Sequence, residues 1–282
     1  MFSRLHTESI NVGYGDRLIV KDLSVRIPDR SVTTIVGPNG CGKSTLLKAM
    51  TRIVKPQSGA IVLDGKSITS ENTKQLARKL AILPQTPEAA SGLTVGELVS
   101  YGRHPHQQGF GRLTKRDIEV IDQALRATGT IELKSRPVDA LSGGQRQRAW
   151  IAMALAQETD MIFLDEPTTY LDMAHQLEVL ELLRRLNEEE RRTIIMVLHD
   201  LNQAARYSDY MIAMKDGTVV KAGRPADIMQ RSVLRHVFRV DADIGADPRT
   251  GAPMVITYNL LKGETEHDEK TMDPAVRAVA VH

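Results

Sequence analysis

The stretch GPNGCGKST, residues 37 to 45, decides the fold of this 282-residue chain. It matches the pattern GxxxxGK[ST], and it stands between the strand-like run SVTTIVG and the helix-like run STLLKAM, where that pattern belongs. In such a loop, successive backbone amides surround phosphate oxygens, and the helix that follows directs its positive end at them. We expect all nine residues to form a phosphate-binding loop: Gly37, Pro38, Asn39, Gly40, Cys41, Gly42, Lys43, Ser44 and Thr45.

Three side chains of this loop are expected to act on a nucleotide. Lys43 reaches the β and γ phosphates as a point charge, and the Ser44 hydroxyl coordinates Mg²⁺. Thr45 supports neighbouring phosphate contacts. Cys41 contributes its place in the loop, and its thiol is expected to be a packing group. The alternative is a chance glycine-rich turn, and the match at every fixed position between a strand and a helix argues against it.

Composition limits the classes to which the chain can belong. With 37 Lys and Arg against 35 Asp and Glu, 41% hydrophobic and 26% charged residues, the chain is typical of a soluble globular protein. No apolar run approaches the roughly 18 residues of a membrane-spanning helix, and no secretory signal precedes the first strand. The single cysteine excludes an internal disulfide framework, which fits a reducing cytoplasm. A net charge of +2 gives no strong electrostatic footprint for nucleic acid and leaves a local basic patch open.

The order of strand and helix patterns predicts an α/β fold. Short β-rich runs fill the first part of the chain, helical patterns dominate the middle, and strands then alternate with helices, which indicates parallel strands with crossover helices. From about Asp241 the chain turns polar, and we expect this tail to be partly mobile, its stretch KGETEHDEKTMDP above all. The predicted boundaries give four segments, residues 1–85, 86–140, 141–240 and 241–282.

The run MIFLDE, residues 161–166, offers the groups that ATP hydrolysis needs beyond a phosphate-binding loop. A buried strand ending here places Asp165 in reach of Mg²⁺ and Glu166 beside the attacking water. An isolated Asp-Glu pair after a strand would more simply be a solvated turn. The presence of the phosphate-binding loop favours the catalytic interpretation instead. His199 ends the next buried run, TIIMVL, and has two interpretations: it contacts a γ-phosphate oxygen, or it caps the strand end.

A second candidate anion site lies in LSGGQRQR, residues 141–148. Ser142 is a favoured helix N-cap residue, and Gly143 and Gly144 permit close approach to the amino end of the helix. Together with the phosphate-binding loop, this motif resembles the signature of the ATP-binding cassette ATPases. The resemblance covers nearly the whole chain. It implies a P-loop NTPase core with an antiparallel β subdomain and an inserted α-helical subdomain.

The resemblance assigns roles to residues that the patterns alone leave open. Tyr14 resembles the aromatic residue that stacks on adenine, although taken alone it fits a core or turn position. Gln85 resembles the Q-loop glutamine, which acts in catalysis and on the metal, although taken alone it fits a surface amide. The dipeptide Leu171-Asp172 resembles the D-loop, and His199 resembles the switch histidine. By this resemblance, the chain keeps every motif residue that hydrolysis of ATP with Mg²⁺ requires.

The resemblance also implies partners. The signature residues Ser142, Gly143, Gly144 and Gln145 would complete the ATP site of a second copy, head to tail, in an ATP-dependent dimer. The inserted helical segment 86–140 would contact two transmembrane permease subunits, with a substrate-binding protein acting indirectly. The chain would then lie on the cytoplasmic side of the cell membrane as a peripheral protein.

Two further stretches resemble the ATPases of ferric-siderophore, haem and cobalamin importers: YGRHPHQ, residues 101–107, and DPRTGAPMVI, residues 247–256. We therefore expect import of a ferric siderophore, with cobalamin or haem as alternatives. His104 and His106 lack further ligands nearby in sequence, so a metal site there is not expected.

Two functions other than transport are alternatives for this chain. A soluble cassette ATPase could act on nucleic acid or protein assembly, but the 95 residues between Thr45 and Leu141 leave no room for a long coiled coil. A non-catalytic regulator would lack Glu166 or His199, and both are present.

Overall fold

The computed structural model describes residues 3–85, 92–107 and 112–261. Twelve strands are assigned in these residues: β1 (Leu5–Tyr14), β2 (Arg17–Ile27), β3 (Val32–Val36), β4 (Ser58–Leu63), β5 (Lys66–Ser67), β6 (Leu80–Leu83), β7 (Met161–Asp165), β8 (Thr193–Val197), β9 (Tyr210–Lys215), β10 (Thr218–Gly223), β11 (Val240–Ala246) and β12 (Pro253–Leu260). The same ranges hold nine α-helices: α1 (Lys43–Met50), α2 (Thr73–Leu76), α3 (Val95–Ser100), α4 (Lys115–Ala127), α5 (Gly143–Ala156), α6 (Met173–Glu190), α7 (Leu201–Tyr207), α8 (Pro225–Ile228) and α9 (Arg231–Phe238).

The chain divides into two compact units. The first unit contains the residues up to Thr69 and those from Val197 onward, and the second runs from Ser70 to Met196. This division groups residues by packing and does not test the four segments drawn from the sequence, which stay a prediction. Among the described residues, no helix is both long and apolar enough to cross a bilayer.

The first unit contains an antiparallel sheet with the strand order β2-β1-β4-β5. Leu5 stands opposite Ile27 of β2 and opposite Leu63 of β4, so apolar residues of three strands meet in one layer. The Asp64-Gly65 turn between β4 and β5 has positive φ at both residues, 52° and 76°, as a tight hairpin requires. The predicted antiparallel β part is confirmed.

The first unit also holds three strands in the order β10-β9-β3, with β3 parallel to β9. All five residues of β3 are buried. This explains why VTTIV lacks the alternation of apolar and polar residues that is typical of a strand with one solvent-exposed face. After β10 the chain forms two short helices, α8 and α9. They are separated because Gln230 has an extended backbone, with φ −116° and ψ 142°.

The polar tail that follows α9 begins with a hairpin that the sequence did not predict. Strands β11 and β12 pair antiparallel, from Val240 opposite Leu260 to Ala246 opposite Pro253. The hairpin is attached to α7 through Asn202, whose side chain donates to the Val255 carbonyl at 3.1 Å and accepts from the Val255 amide at 2.7 Å. The predicted mobile stretch KGETEHDEKTMDP, residues 262–274, lies outside the described residues.

The second unit combines buried strands with helices. Strand β6 pairs parallel with β7, and β8 is the next strand in the order β6-β7-β8. The helical middle of the chain is confirmed by α3 and α4, and both begin at capping boxes, Thr94 with Glu97 and Thr114 with Asp117. Helix α5 begins directly after Ser142, as predicted.

A buried ion network holds the helical part of the second unit together. Arg103 is 3% exposed, and its guanidinium donates to Asp117 at 2.8 Å, to the Ala156 carbonyl at 2.7 Å and to Glu158 at 2.7 Å. Burial alone would raise the pKa of Asp117, but hydrogen bonds from Thr114 and from Arg103 outweigh it and lower that pKa to about 2. Asp117 therefore stabilises the fold while ionised, and this contribution is lost as the pH falls from about 4 towards 2.

Replacing Arg103 by Met is expected to lower the free energy of unfolding by about 3 kcal/mol or more, because it leaves the Asp117 carboxylate buried without its charged partner. Equilibrium urea unfolding of the purified chain measures the loss. Arg116→Met is the matched control, since Arg116 is exposed and contacts Glu158 at the surface; its cost should stay below about 1 kcal/mol. Equal losses in the two variants would contradict a dominant role for the buried network.

Candidate functional site

The phosphate-binding loop follows β3 directly, and its shape depends on Gly42. This residue precedes α1 with a left-handed backbone, φ 103° and ψ 8°. A Cβ there would also come within 3.3 Å of the Ile19 carbonyl oxygen and side chain, which belong to β2. Glycine meets both demands at once, so the chain can turn sharply into the helix and leave the first amides of α1 directed into the loop.

Lys43, the first residue of α1, is buried inside this loop. Its ammonium group donates to the carbonyl oxygens of Gly37 and Pro38, each at 2.9 Å. The side chain is 5% exposed, so its charge is fixed against the backbone of the loop. Asn39 and Gly40 lie exposed at the tip, while Ser44 and Thr45 follow in the first turn of α1. The loop thus presents amides and a fixed positive charge.

The turn between β9 and β10 is hydrogen-bonded to the phosphate-binding loop and to β2. The Gly217 amide donates to the Cys41 carbonyl at 3.1 Å, and the Gly217 carbonyl accepts from the Lys21 amide at 2.9 Å. Burial raises the pKa of the Cys41 thiol, and the positive charge of Lys43 opposes this only in part. The thiol is therefore held in its protonated form, which fits the packing role expected for it.

Two other predicted site residues lie in the same unit as the loop. Tyr14 ends β1 and leaves 55% of its surface exposed. His199 follows β8 and is exposed, and the next residue, Asp200, caps α7 by accepting the Gln203 amide at 2.7 Å. Tyr14 thus ends a strand and His199 follows one, and both side chains are exposed.

The second unit brings Gln85 and Glu166 together. The Gln85 amide donates to Oε2 of Glu166 at 2.5 Å, and the Thr169 hydroxyl donates to the same oxygen at 3.1 Å. Glu166 has a φ of 55°, a left-handed backbone that is uncommon for a residue with a side chain. The turn after β7 therefore aims the carboxylate along a fixed direction. Asp165, the last residue of β7, is 3% exposed.

The LSGGQ segment of the second unit forms a capped helix start. The Ser142 hydroxyl accepts from the Gln145 amide at 3.3 Å, and the Gln145 side chain accepts from the Ser142 amide at 3.2 Å. Gly143 and Gly144 follow as the first residues of α5. The sequence predicted this cap, which leaves the helix's positive end beside two residues without side chains.

Asp172 caps the neighbouring helix α6. Its carboxylate accepts the His175 amide at 3.0 Å and contacts Nδ1 of His175 at 2.8 Å. Hydrogen bonds from the His175 backbone and ring lower the pKa of Asp172. His175 and Thr169 were missed by the sequence analysis. The spacing Asp172-x-x-His175 is the available signal, since a cap residue and the third residue of its helix face each other.

The predicted site residues thus fall into two groups. One unit holds the phosphate-binding loop, Tyr14 and His199, and the other holds Gln85, Asp165, Glu166, the LSGGQ residues and Asp172. His104 is exposed, and the His106 ring bonds the Gln157 carbonyl at 2.9 Å. Within the described ranges no cluster of three or more His, Cys, Asp or Glu side chains could hold a metal.

Comparison with known proteins decides the family. The profile of the family described as ABC transporter matches residues 20–169, which include the phosphate-binding loop, the LSGGQ segment and Glu166. The chain belongs to the ABC transporter family. It is an ABC ATPase with the α/β cassette fold, and the family resemblance predicted from its motifs is confirmed.

Individual relatives of this ABC ATPase cover most of its length. It is 60% identical to the iron(3+)-hydroxamate import ATP-binding protein FhuC of Bacillus subtilis strain 168, over 93% of this chain and 97% of the relative. Among solved structures, cbiO1 from Clostridium perfringens, part of the ABC transporter complex cbiONQ, is 33% identical with a TM-score of 0.73, covering 84% of this chain and 94% of its own. A dimeric post-hydrolysis state of the cassette MJ0796 bound to ADP and Pi is 26% identical with a TM-score of 0.68, covering 78% and 98%.

Proposed function

We propose that this ABC ATPase is the ATP-hydrolysing subunit of an importer and couples ATP turnover to uptake of a ferric siderophore. The observation that carries the proposal is its 60% identity, over 93% of the chain, to a protein named for import of iron(3+)-hydroxamate. The hydrolytic residues stand in this chain in the order of the family, from Lys43 to Glu166 and His199. The chain therefore has the groups needed to use ATP and resembles a protein named for ferric siderophores.

ATP binds, in this proposal, to the phosphate-binding loop. The Lys43 ammonium lies within the loop and attracts the β and γ phosphates, while loop amides and the positive end of α1 neutralise further charge. Tyr14 offers an exposed aromatic face, the chemistry needed to stack on adenine. Binding then rests on electrostatics for the phosphates and on stacking for the base.

The donor set for the cation fits Mg²⁺. The Ser44 hydroxyl, the Asp165 carboxylate and the Gln85 side-chain carbonyl are oxygen ligands, which Mg²⁺ prefers. Because the Gln85 amide nitrogen donates to Glu166, its carbonyl oxygen is the atom left to face a cation. When bound, Mg²⁺ would neutralise negative charge on the phosphates as ADP leaves.

Glu166 is the proposed general base. Its carboxylate is oriented by Gln85 and Thr169. It accepts a proton from the attacking water as the water's oxygen bonds to the γ phosphorus, while the bond from that phosphorus to the bridging oxygen breaks and ADP leaves. His199 is proposed to donate a hydrogen bond to a γ-phosphate oxygen. The two proposed roles are distinct, since Glu166 acts on the nucleophile and His199 acts on the charge that develops on the phosphate.

The LSGGQ residues are proposed to complete the ATP site of a second copy, head to tail. A second helix start suited to an anion is formed by Ser142, Gly143, Gly144 and Gln145. An ATP bound to the chain's own phosphate-binding loop would leave this second site without a ligand. Asp172 lies in the same unit and would face the partner's nucleotide. The dimeric state of the related cassette MJ0796 supports this arrangement.

Two permease subunits are the proposed membrane partners, placing the chain on the cytoplasmic side of the membrane as a peripheral protein. The second unit has a cavity of about 340 Å³ beside α3 and α4, open to solvent. Three apolar side chains line it together with polar residues and one glycine: Leu113, Ile118, Ile121, Thr94, Gly96, Glu97, Ser100, Lys134 and Ser135. We propose that a short helix of a permease docks here, with a substrate-binding protein acting through the permeases.

Uptake of labelled compounds tests the proposed function. Cells lacking this protein are complemented with the native chain or with Glu166→Gln and given ferric hydroxamate, haem or cobalamin. We expect the native chain alone to restore ferric hydroxamate uptake. If the native chain instead restored uptake of haem or cobalamin, that compound would be the cargo in place of a ferric siderophore. Equal restoration by Glu166→Gln would contradict coupling to hydrolysis, and recovery of the purified chain with nucleic acid rather than membrane proteins would favour a non-transport ATPase.

A further inference from the structure

The ring of His175 lies against the backbone of Gly144. A Cβ atom placed on Gly144 would come within 2.4 Å of Cδ2 and 2.7 Å of Cγ of this ring, closer than real Cβ contacts. His175 belongs to the first turn of α6, and Gly144 belongs to the first turn of α5. The imidazole therefore fills the space between the two helix starts, and only glycine fits opposite it.

The orientation of this ring is fixed by Asp172. The lowered pKa of Asp172 keeps its carboxylate ionised, and an ionised carboxylate only accepts hydrogen bonds. Nδ1 of His175 is therefore the donor in the 2.8 Å contact, and the His175 amide donates to the other carboxylate oxygen at 3.0 Å. These two bonds lock the ring on the side of α6 that faces Gly144.

The loop before α6 is held in the same way. A Cβ on Gly143 would stand 3.5 Å from the Leu171 side chain, at ordinary contact distance. The Gln176 side-chain amide donates to the Leu171 carbonyl at 2.9 Å. Gly143 thus lies beside the loop from Glu166 to Asp172, and Gly144 lies against His175 in the first turn of the helix that follows this loop.

We propose that His175 is a positioning residue that sets the place of Gly143 and Gly144 by wedging its imidazole between α5 and the Asp172 cap of α6. The inference rests on the proposed role of the LSGGQ residues in the ATP site of a second copy. Its consequence is that the segment serving the partner's nucleotide is fixed to the loop bearing this chain's own Glu166. Anion contacts through backbone amides need accurate placement, because a displacement of about 1 Å can cost about 10²-fold in rate.

The test compares His175→Ala with the native chain for three quantities: binding of a fluorescent ATP analogue to the monomer, ATP-dependent dimer formation in the Glu166→Gln background, and kcat. We expect monomer binding of the analogue to be unchanged, while kcat falls by about tenfold and dimerisation needs a correspondingly higher protein concentration. His175→Phe keeps a ring against Gly144 and loses the bond to Asp172, so it should fall between the two. Glu181→Ala, exposed on the same helix, is the matched control and should behave as native.

A second pair of variants tests the contact itself. Gly144→Ala places a methyl group against the ring and should lower the melting temperature, and adding His175→Ala should restore it. Failure of this restoration would overturn the inference, and so would native kcat and native dimerisation in His175→Ala. Failure of the proposed function looks different, because the Glu166→Gln chain with His175 intact would then form no ATP-dependent dimer.

Discussion

Replacing Glu166 by Gln is expected to lower ATP turnover by about 10²- to 10⁴-fold, the range that a positioned general base contributes. Gln keeps the size of the side chain and can still accept from Gln85 and Thr169 through its carbonyl oxygen, so the turn after β7 should persist. It cannot take up the proton of the attacking water. Release of inorganic phosphate by the purified chain, measured with saturating MgATP, gives the effect.

ATP binding should survive this substitution, since the phosphate-binding loop lies elsewhere in the sequence. With hydrolysis blocked, ATP should hold two chains together, and size-exclusion chromatography with ATP should show a dimer. Glu189→Gln, an exposed position at the end of α6, is the matched control and should keep native turnover. Rapid turnover by Glu166→Gln would remove Glu166 from the role of base.

Replacing Lys43 by Ala should weaken binding of MgATP by about 10²-fold, which corresponds to about 3 kcal/mol. The reason is the burial of its ammonium within the loop, where a charge interacts strongly with phosphate and no water replaces it at equal strength. Titration with a fluorescent ATP analogue, or calorimetry with ATP, measures the dissociation constant.

Lys48→Ala is the matched control for this variant, because it removes the same side chain from the last turn of the same helix. The dissociation constant of the control should equal that of the native chain. Thermal unfolding without nucleotide separates lost binding from lost folding, since Lys43 also bonds two loop carbonyls. Native affinity in folded Lys43→Ala would contradict the proposed phosphate role of this loop.

The sequence was sufficient to predict features with a local cause. The phosphate-binding loop and the helix cap at Ser142 each depend on residues within a few positions of one another, and turn and cap chemistry describes them well. The run MIFLDE likewise predicted β7, since four consecutive apolar residues before Asp165 indicate a buried strand.

Features that join distant segments could not be read in this way. Arg103 bonds Ala156 and Glu158, more than fifty residues away, and nothing around Arg103 distinguishes it from a surface arginine. His175 and Gly144 are also far apart in sequence, and their contact arises from the packing of two helix starts. The hairpin of β11 and β12 was hidden because Gly, Asp and Pro interrupt its strands, and the Asn202 side chain that holds it is distant in sequence.

The candidate site could be predicted from the sequence only in part. The motifs predicted which residues matter, since phosphate chemistry restricts the residue types and their order. They did not predict that Gln85 and Thr169 share one oxygen of Glu166, because the turn after β7 sets that geometry and its left-handed residue has no sequence signature.

The positive φ of Glu166 has an evolutionary consequence. A glycine would adopt this backbone conformation with less strain, by about 1 kcal/mol or more, so stability alone favours losing the carboxylate. Selection for hydrolysis has to oppose that tendency in every generation. A descendant lineage released from the need to hydrolyse ATP should therefore drift towards glycine or asparagine at this position, gaining stability as it loses the reaction.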